Sequence, residues 1–314
     1  MLKPLSALPL ILLTQTAFAE VPRVVTDIAP VQSLVAQVMG DLGEPEVIVD
    51  PGASPHSYAL RPSQARALEQ ADLVFWVGHS MTTWLEGPLE QLAGNANIVA
   101  LIDLDGTIRR DVRDTAVFAA VEAHDGMEED GQEDHDEHGH DHHGIDPHAW
   151  LDPENGKTWL AAMAEALAAA DPEHAGIYRQ NAKSAQDDLD LRIGRIEANL
   201  APVSGLPFVV FHDAYQYFET RFGLSASGAI SLSDATAPSP ARITAIRQEI
   251  SDHGVVCVFS EPQFNPGLVK TVFEGSAART AVIDPLGTAL PPGPAHYGAL
   301  LDSLADEMAG CLNE

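Results

Sequence analysis

From Arg23 onward, short apolar runs alternate with amphipathic stretches, a rhythm that predicts α/β units built on parallel sheet. Residues 23–26 read as a first strand, and residues 30–39 as a helix that opens on Pro30 and closes at Gly40. Residues 47–49 form a second strand that runs into the proline-studded loop 50–58, which leaves His56 just beyond a strand end. A helix over 63–70, a strand over 72–77 and a helix over 82–92, irregular at Gly87-Pro88, complete the first half. The second half repeats the grammar: strands over 208–211, 224–230, 255–259 and 280–283, with helices over 214–222, 240–251, 266–278 and 297–312.

Between the halves lie an alanine-rich helix over 154–169 and a longer one from Pro172 to Leu200. The apolar positions Tyr178, Ala182, Ala185, Leu189, Ile193, Ile196 and Leu200 of the longer helix step by three or four throughout. At about 1.5 Å per residue it spans roughly 43 Å, enough for a stiff strut between two lobes. The expected fold is therefore two similar α/β lobes with parallel-sheet cores, at 20–171 and 202–314, joined by a rigid linker helix over 172–201.

One segment breaks the rhythm. Between Arg113 and Lys157 there is no lysine or arginine, and eleven carboxylates and six histidines crowd into residues 122–146. With so little apolar content, the stretch over about 115–145 is expected to form an open insertion. Its histidines, His124, His135, His138, His140, His142 and His143, make it a candidate auxiliary metal collector; a solvated linker is the alternative.

Residues 1–19 carry a lysine near the start, a short apolar stretch and an Ala-Phe-Ala end, the pattern of a cleaved secretory signal. No cysteine lies near that end to carry a lipid, so a freely soluble periplasmic protein is expected. Export also allows a disulfide between the two cysteines, Cys257 and Cys311; two separate buried thiols are the alternative. A formal charge of −29 speaks against nucleic acid and anionic membranes as partners and suits cations. Neither HExxH nor GxSxG is present, so a hydrolase has no recognisable machinery.

In open parallel sheets, ligands gather beyond the carboxyl ends of the strands. His56, His212 at the end of VVFH, and Asp284 at the end of AVID stand at such places, and His148 sits in the stiff loop DPHAWLDP. Each residue alone has an ordinary reading: His212 as a hydrogen-bonded core histidine, Asp284 as a turn cap. Together, three imidazoles and a carboxylate suit zinc, whereas manganese or calcium would call for more oxygens. Glu261 and His79 also follow strands but would overfill a tetrahedron, and His174, His253 and His296 are expected at the surface.

The segments GASPHSYALRPSQARAL, IDPHAWLDPENG, VVFHDAYQYF, VCVFSEPQF and VIDPLGT resemble the ZnuA-type zinc-binding proteins of bacterial ABC importers, over nearly the whole mature chain. The resemblance implies two α/β lobes on a long helix, with zinc held between them by His56, His148 and His212 and delivered to an ABC permease by a monomer. It matches Asp284 to the carboxylate that some relatives use as fourth ligand, and Cys257 and Cys311 to a disulfide. It also matches residues 122–143 to a His/Asp-rich insertion. Some relatives carry a glutamate before the first histidine where this chain has Pro55, so the fourth donor is Asp284, a water or an insertion histidine. A periplasmic zinc buffer without a transporter, or a manganese-binding relative, are the competing readings.

Overall fold

The computed structural model describes residues 21–113, 115–118, 144–231, 238–263, 273 and 276–313. The signal segment, the six insertion histidines and most of the helix expected over 266–278 lie outside the described residues.

Two four-stranded parallel sheets carry the fold. In the first the order is β2-β1-β3-β4, from β1 (Val24–Thr26), β2 (Glu46–Val47), β3 (Leu73–Trp76) and β4 (Asn97–Ala100); in the second it is β6-β5-β7-β8, from β5 (Phe208–His212), β6 (Ala226–Ser231), β7 (Cys257–Ser260) and β8 (Arg279–Val282). The central strands are buried on both faces, which is why they read as continuous apolar runs such as Leu73–Trp76. Strand β4 is not among the strands expected, although it opens the short apolar run over 98–102. It is a half-exposed edge strand of four residues, in which β-branched Ile98 and Val99 suit the strand and pairing with β3 fixes it.

The helices are α1 (Ala29–Met39), α2 (Pro62–Gln70), α3 (Glu86–Leu92), α4 (Pro153–Ala170), α5 (Ala175–Leu200), α6 (Gln216–Phe222), α7 (Pro240–Asp252) and α8 (His296–Asn313). Their starts follow local chemistry. The Asp152 side chain accepts from Glu154 N ahead of Pro153, and Ser239 Oγ accepts from Arg242 N ahead of Pro240. The irregularity expected at Gly87-Pro88 falls earlier, where a 3-10 turn over Thr83–Leu85 leads into α3. The linker helix starts at Ala175 rather than Pro172, because 171–174 form a turn in which Asp171 accepts from Tyr178 Oη and pairs with His174 Nδ1. Its 26 residues span about 39 Å.

Helix α5 buries Tyr178, Ala182, Ala185, Leu189, Ile196 and Leu200 against α1, α4 and α8. The two lobes are thereby fused into one apolar core that runs from Val24 to Leu312. Helix α8, last in the chain, packs on α1 as well as on α5 and β8, and Tyr297 N donates to Ser33 Oγ. Cys257 in β7 and Cys311 in α8 are bonded, with Cα atoms 6.2 Å apart.

The expectation of an open insertion over all of 115–145 needs correction at both ends. Residues 115–118 lie along the edge of β6: Val117 bridges Gly228 in antiparallel sense, Ala229 N donates to Ala116 O, and Phe118 N donates to Ser227 O. At the other end, Val112 N donates to Gly144 O and Asp146 N to Arg110 O, a short ribbon that leads straight to His148. Ala116, Val117 and Phe118 are themselves apolar, and Ala116 and Phe118 pack on the core while the sheet edge supplies backbone partners.

Gly228 makes that docking possible, since a Cβ there would stand 2.4 Å from Ala116 O and 2.8 Å from Ile246 Cδ1. Gly228→Ala is expected to lower stability by about 1–3 kcal/mol through this overlap. Urea unfolding of the variant reads the loss, and an unchanged midpoint would show that 115–118 does not dock there.

Candidate metal centre

Three histidines from distant parts of the chain meet between the lobes. His56 lies in the loop after β2, His148 opens the 3-10 turn Ala149–Leu151, and His212 ends β5. One ring nitrogen from each can be chosen so that all three lie within 4.8 Å of one another, and His56 Nε2 is 3.3 Å from His148 Nε2. Two nitrogens at the usual zinc distance of about 2.05 Å, held at a tetrahedral angle, stand about 3.3 Å apart. The donor set therefore fits one zinc ion.

Each ring is held from behind. Trp84 Nε1 donates to Pro55 O at 2.8 Å and fixes the loop beside His56. Asp146 Oδ1 receives both His148 N, at 3.0 Å, and His148 Nδ1, at 2.7 Å. Glu261 Oε1 lies 3.3 Å from His212 Nδ1, and both side chains are almost wholly buried. A carboxylate on Nδ1 holds the proton on that nitrogen and leaves the Nε2 lone pair for the cleft, as in carboxylate–histidine–zinc sites. Trp150 packs against His148 and anchors the far wall by donating from Nε1 to Pro285 O at 2.8 Å.

Asp284 faces elsewhere. Its Oδ1 accepts from Leu286 N at 2.9 Å, and its Oδ2 accepts from Thr288 N at 2.6 Å and Thr288 Oγ1 at 2.5 Å. It closes the turn that carries Pro285 and Leu286, which line the pocket beside Met81, Glu261 and Gln263. The Asp-Pro pair performs the capping that its composition also predicts.

The remaining histidines are spread out. His79 is exposed and pairs with Glu86; His253 is exposed and pairs with Glu249. His296, expected at the surface, is 3% exposed, with Nε2 2.9 Å from Leu286 O and Nδ1 3.2 Å from Pro291 O. It opens α8 on the face that packs inward, and one residue of helical phase separates that from an exposed position.

Asp146 escaped notice in the sequence, although it stands two residues before His148 within IDPHAWLDP. An acid at that offset, across a proline, is the signal that could have identified it. Burial pushes its carboxyl up to about 7, opposed by the hydrogen bond from His148 N and the nearby Arg113. Burial holds His148 well below the usual 6.5, and His212 adds to the effect.

The depressed histidine has a sign that can be checked. In the metal-free protein the unfolded chain takes up this proton near pH 6.5 while the folded ring stays neutral, so stability falls as pH drops from about 6.5 through the lower folded value. Urea unfolding at pH 7.5 and 5.5 should show a larger loss on acidification in the natural protein than in His148→Gln. Equal losses would contradict the depressed value.

Two α/β lobes bridged by one long helix, with converging imidazoles in the interlobe cleft, define a cation-binding two-lobed protein. A family model described as zinc-uptake complex component A, periplasmic (ZnuA), matches residues 24–311, and the chain belongs to this family. It is 47% identical over 304 residues to the high-affinity zinc uptake system protein ZnuA of Paracoccus denitrificans, covering 94% of this chain and 93% of that one. The Brucella suis protein of the same name is 45% identical over 309 residues, covering 93% and 92%. Among solved structures, a crystal structure of ZnuA superposes with a TM-score of 0.75 at 21% identity, covering 92% of this chain and 98% of the other. A zinc-bound ZnuA lacking its residues 138–173 gives 0.74 at 20% identity, covering 92% and 97%. At these identities the structural likeness speaks for the fold.

Proposed function

We propose that this protein captures Zn2+ in the periplasm with His56, His148 and His212 and hands it to the membrane permease of an ABC importer. Family membership makes it the solute-binding component of a zinc uptake system rather than an enzyme. The observation that carries the ligand assignment is the approach of three imidazole donors to within 4.8 Å, at a spacing that suits zinc. Asp284 acts as a turn cap in this reading, because reaching the ion would cost it three hydrogen bonds. The fourth position is then left to water, which suits a cargo that must leave again. All-nitrogen protein donors argue against manganese.

The protein reaches the periplasm by cleavage after Ala19, carries no lipid and works as a monomer. Its lobes are 20–171 and 202–314, joined by the long helix. Histidines 124, 135, 138, 140, 142 and 143 form a weaker auxiliary zinc site that raises the local concentration beside the cleft. Isothermal titration of the full protein and of a form lacking 122–143 tests this last point, and equal stoichiometry in both would remove it. Zinc uptake by a zinc-starved strain lacking the protein tests the transport role. A drop that the natural protein restores, and His148→Ala does not, is the expected result; undiminished uptake would leave a zinc buffer instead.

A further inference from the structure

The ribbon that closes the insertion also carries a cation into the interlobe contact. Arg113 is mostly buried, with 17% of its side chain exposed, and stacks its guanidinium 3.8 Å from the centre of the Phe118 ring. Its Nε lies 3.0 and 3.1 Å from the two Asp213 carboxylate oxygens, and its Nη2 also bonds Asp213. Its Nη1 and Nη2 each reach a Glu219 oxygen at 3.0 Å. Asp213 and Glu219 have 6% and 3% of their side chains exposed. Burial opposes the charge on Arg113, yet Glu219 and Asp213 hold the guanidinium above its ordinary range.

Three features set this ion-pair cluster apart from a surface salt bridge. Asp213 is the next residue after His212, so the fork grips the chain at a proposed ligand. Arg113 belongs to the same ribbon as Asp146, the residue that orients His148. Helix α6 clasps that ribbon from the second lobe, where Arg110 N donates to Tyr217 Oη and Tyr217 Oη donates to Asp146 O, both at 2.9 Å. One short ribbon therefore orients the imidazole of the first lobe and, through a planar bidentate fork, the imidazole of the second. Their ring centres stand 4.9 Å apart.

We propose that Arg113 is a positioning residue for the metal site: by holding Asp213 and Glu219 against the first-lobe ribbon it fixes His212 relative to His148, and so sets how slowly zinc leaves. The proposal rests on the ligand assignment above. A planar fork is required for it, since a lysine supplies the charge but cannot hold two carboxylates in one geometry. Loss of a group that hydrogen-bonds a ligand typically weakens metal binding about 10- to 100-fold, and Arg113, which acts one residue further out, falls at the lower end of that range.

The test is stopped-flow zinc binding and chelator-driven release with the full protein, comparing Arg113→Met, Arg113→Lys and Asp213→Asn. The visible bands of the cobalt-substituted protein report ligand geometry. The release rate is expected to rise about 10-fold in Arg113→Met, with an association rate near that of the natural protein and a shifted cobalt spectrum. Arg113→Lys should recover part of the loss. Asp213→Asn, which leaves the Glu219 pair to support folding, should release zinc faster than the natural protein, and it carries the test if Arg113→Met does not fold. Release rates and cobalt bands matching the natural protein in every folded variant would overturn the proposal, even if melting temperatures fall. His148→Ala serves as the control: unaltered zinc binding there would count against the ligand assignment instead.

Discussion

Replacing His148 or His212 by alanine should weaken zinc binding by about 100-fold or more. A four-ligand zinc site contributes roughly 10–16 kcal/mol, so one ligand in four is worth about 3 kcal/mol, and each 1.4 kcal/mol is about a factor of ten. The loss should exceed that share at these two positions. Both rings are buried against carboxylates, and truncation leaves Asp146 or Glu261 facing a cavity without the imidazole it orients. His56 is more open and its loop can adjust, so His56→Ala should cost less than either. Competition against a chromophoric chelator measures all three on one scale. A dissociation constant within threefold of the natural protein in His148→Ala would remove that residue from the site.

Removing the disulfide is the second large effect. Cys257–Cys311 closes a loop of 54 residues, and on the chain-entropy model such a link stabilises by about 4 kcal/mol. Cys257 is fully buried in β7 and Cys311 nearly so in α8, so the link ties the last helix to the second sheet. The double variant Cys257→Ala/Cys311→Ala should unfold at a urea concentration lower by about 1–3 M, taking a slope of about 2 kcal/mol per M. Zinc affinity at 25 °C should change little while the protein stays folded, because the link lies away from the imidazoles. Equal urea midpoints for the oxidised protein and the double variant would contradict the prediction.

Much of the architecture was legible in the chain because buried parallel strands and packed helices leave local signatures. Runs such as Phe208–Phe211 have no polar alternation, and the three- and four-residue steps of Tyr178 to Leu200 describe one continuous buried face of α5. Strand β4 and the docked segment 115–118 carry only short apolar runs, over 98–102 and 116–118, which do not by themselves specify an edge pairing held by backbone groups. The burial of His296 has a related cause: on α8 it depends on which side the neighbouring helix approaches.

For the candidate site, the order of residues already shows which side chains are available and roughly where each emerges: three imidazoles at strand ends or in a stiff loop, an acidic chain suited to cations, and a family pattern around them. Folding is what brings their donor atoms to zinc spacing and occupies Asp284 in its own turn. It also brought Asp146, Glu261 and Arg113 into the network behind the rings. Ligand identity is a property of one residue and its immediate neighbours. Orientation is a property of contacts that the chain makes across dozens of residues, such as Arg113 with Asp213, and no local pattern encodes those.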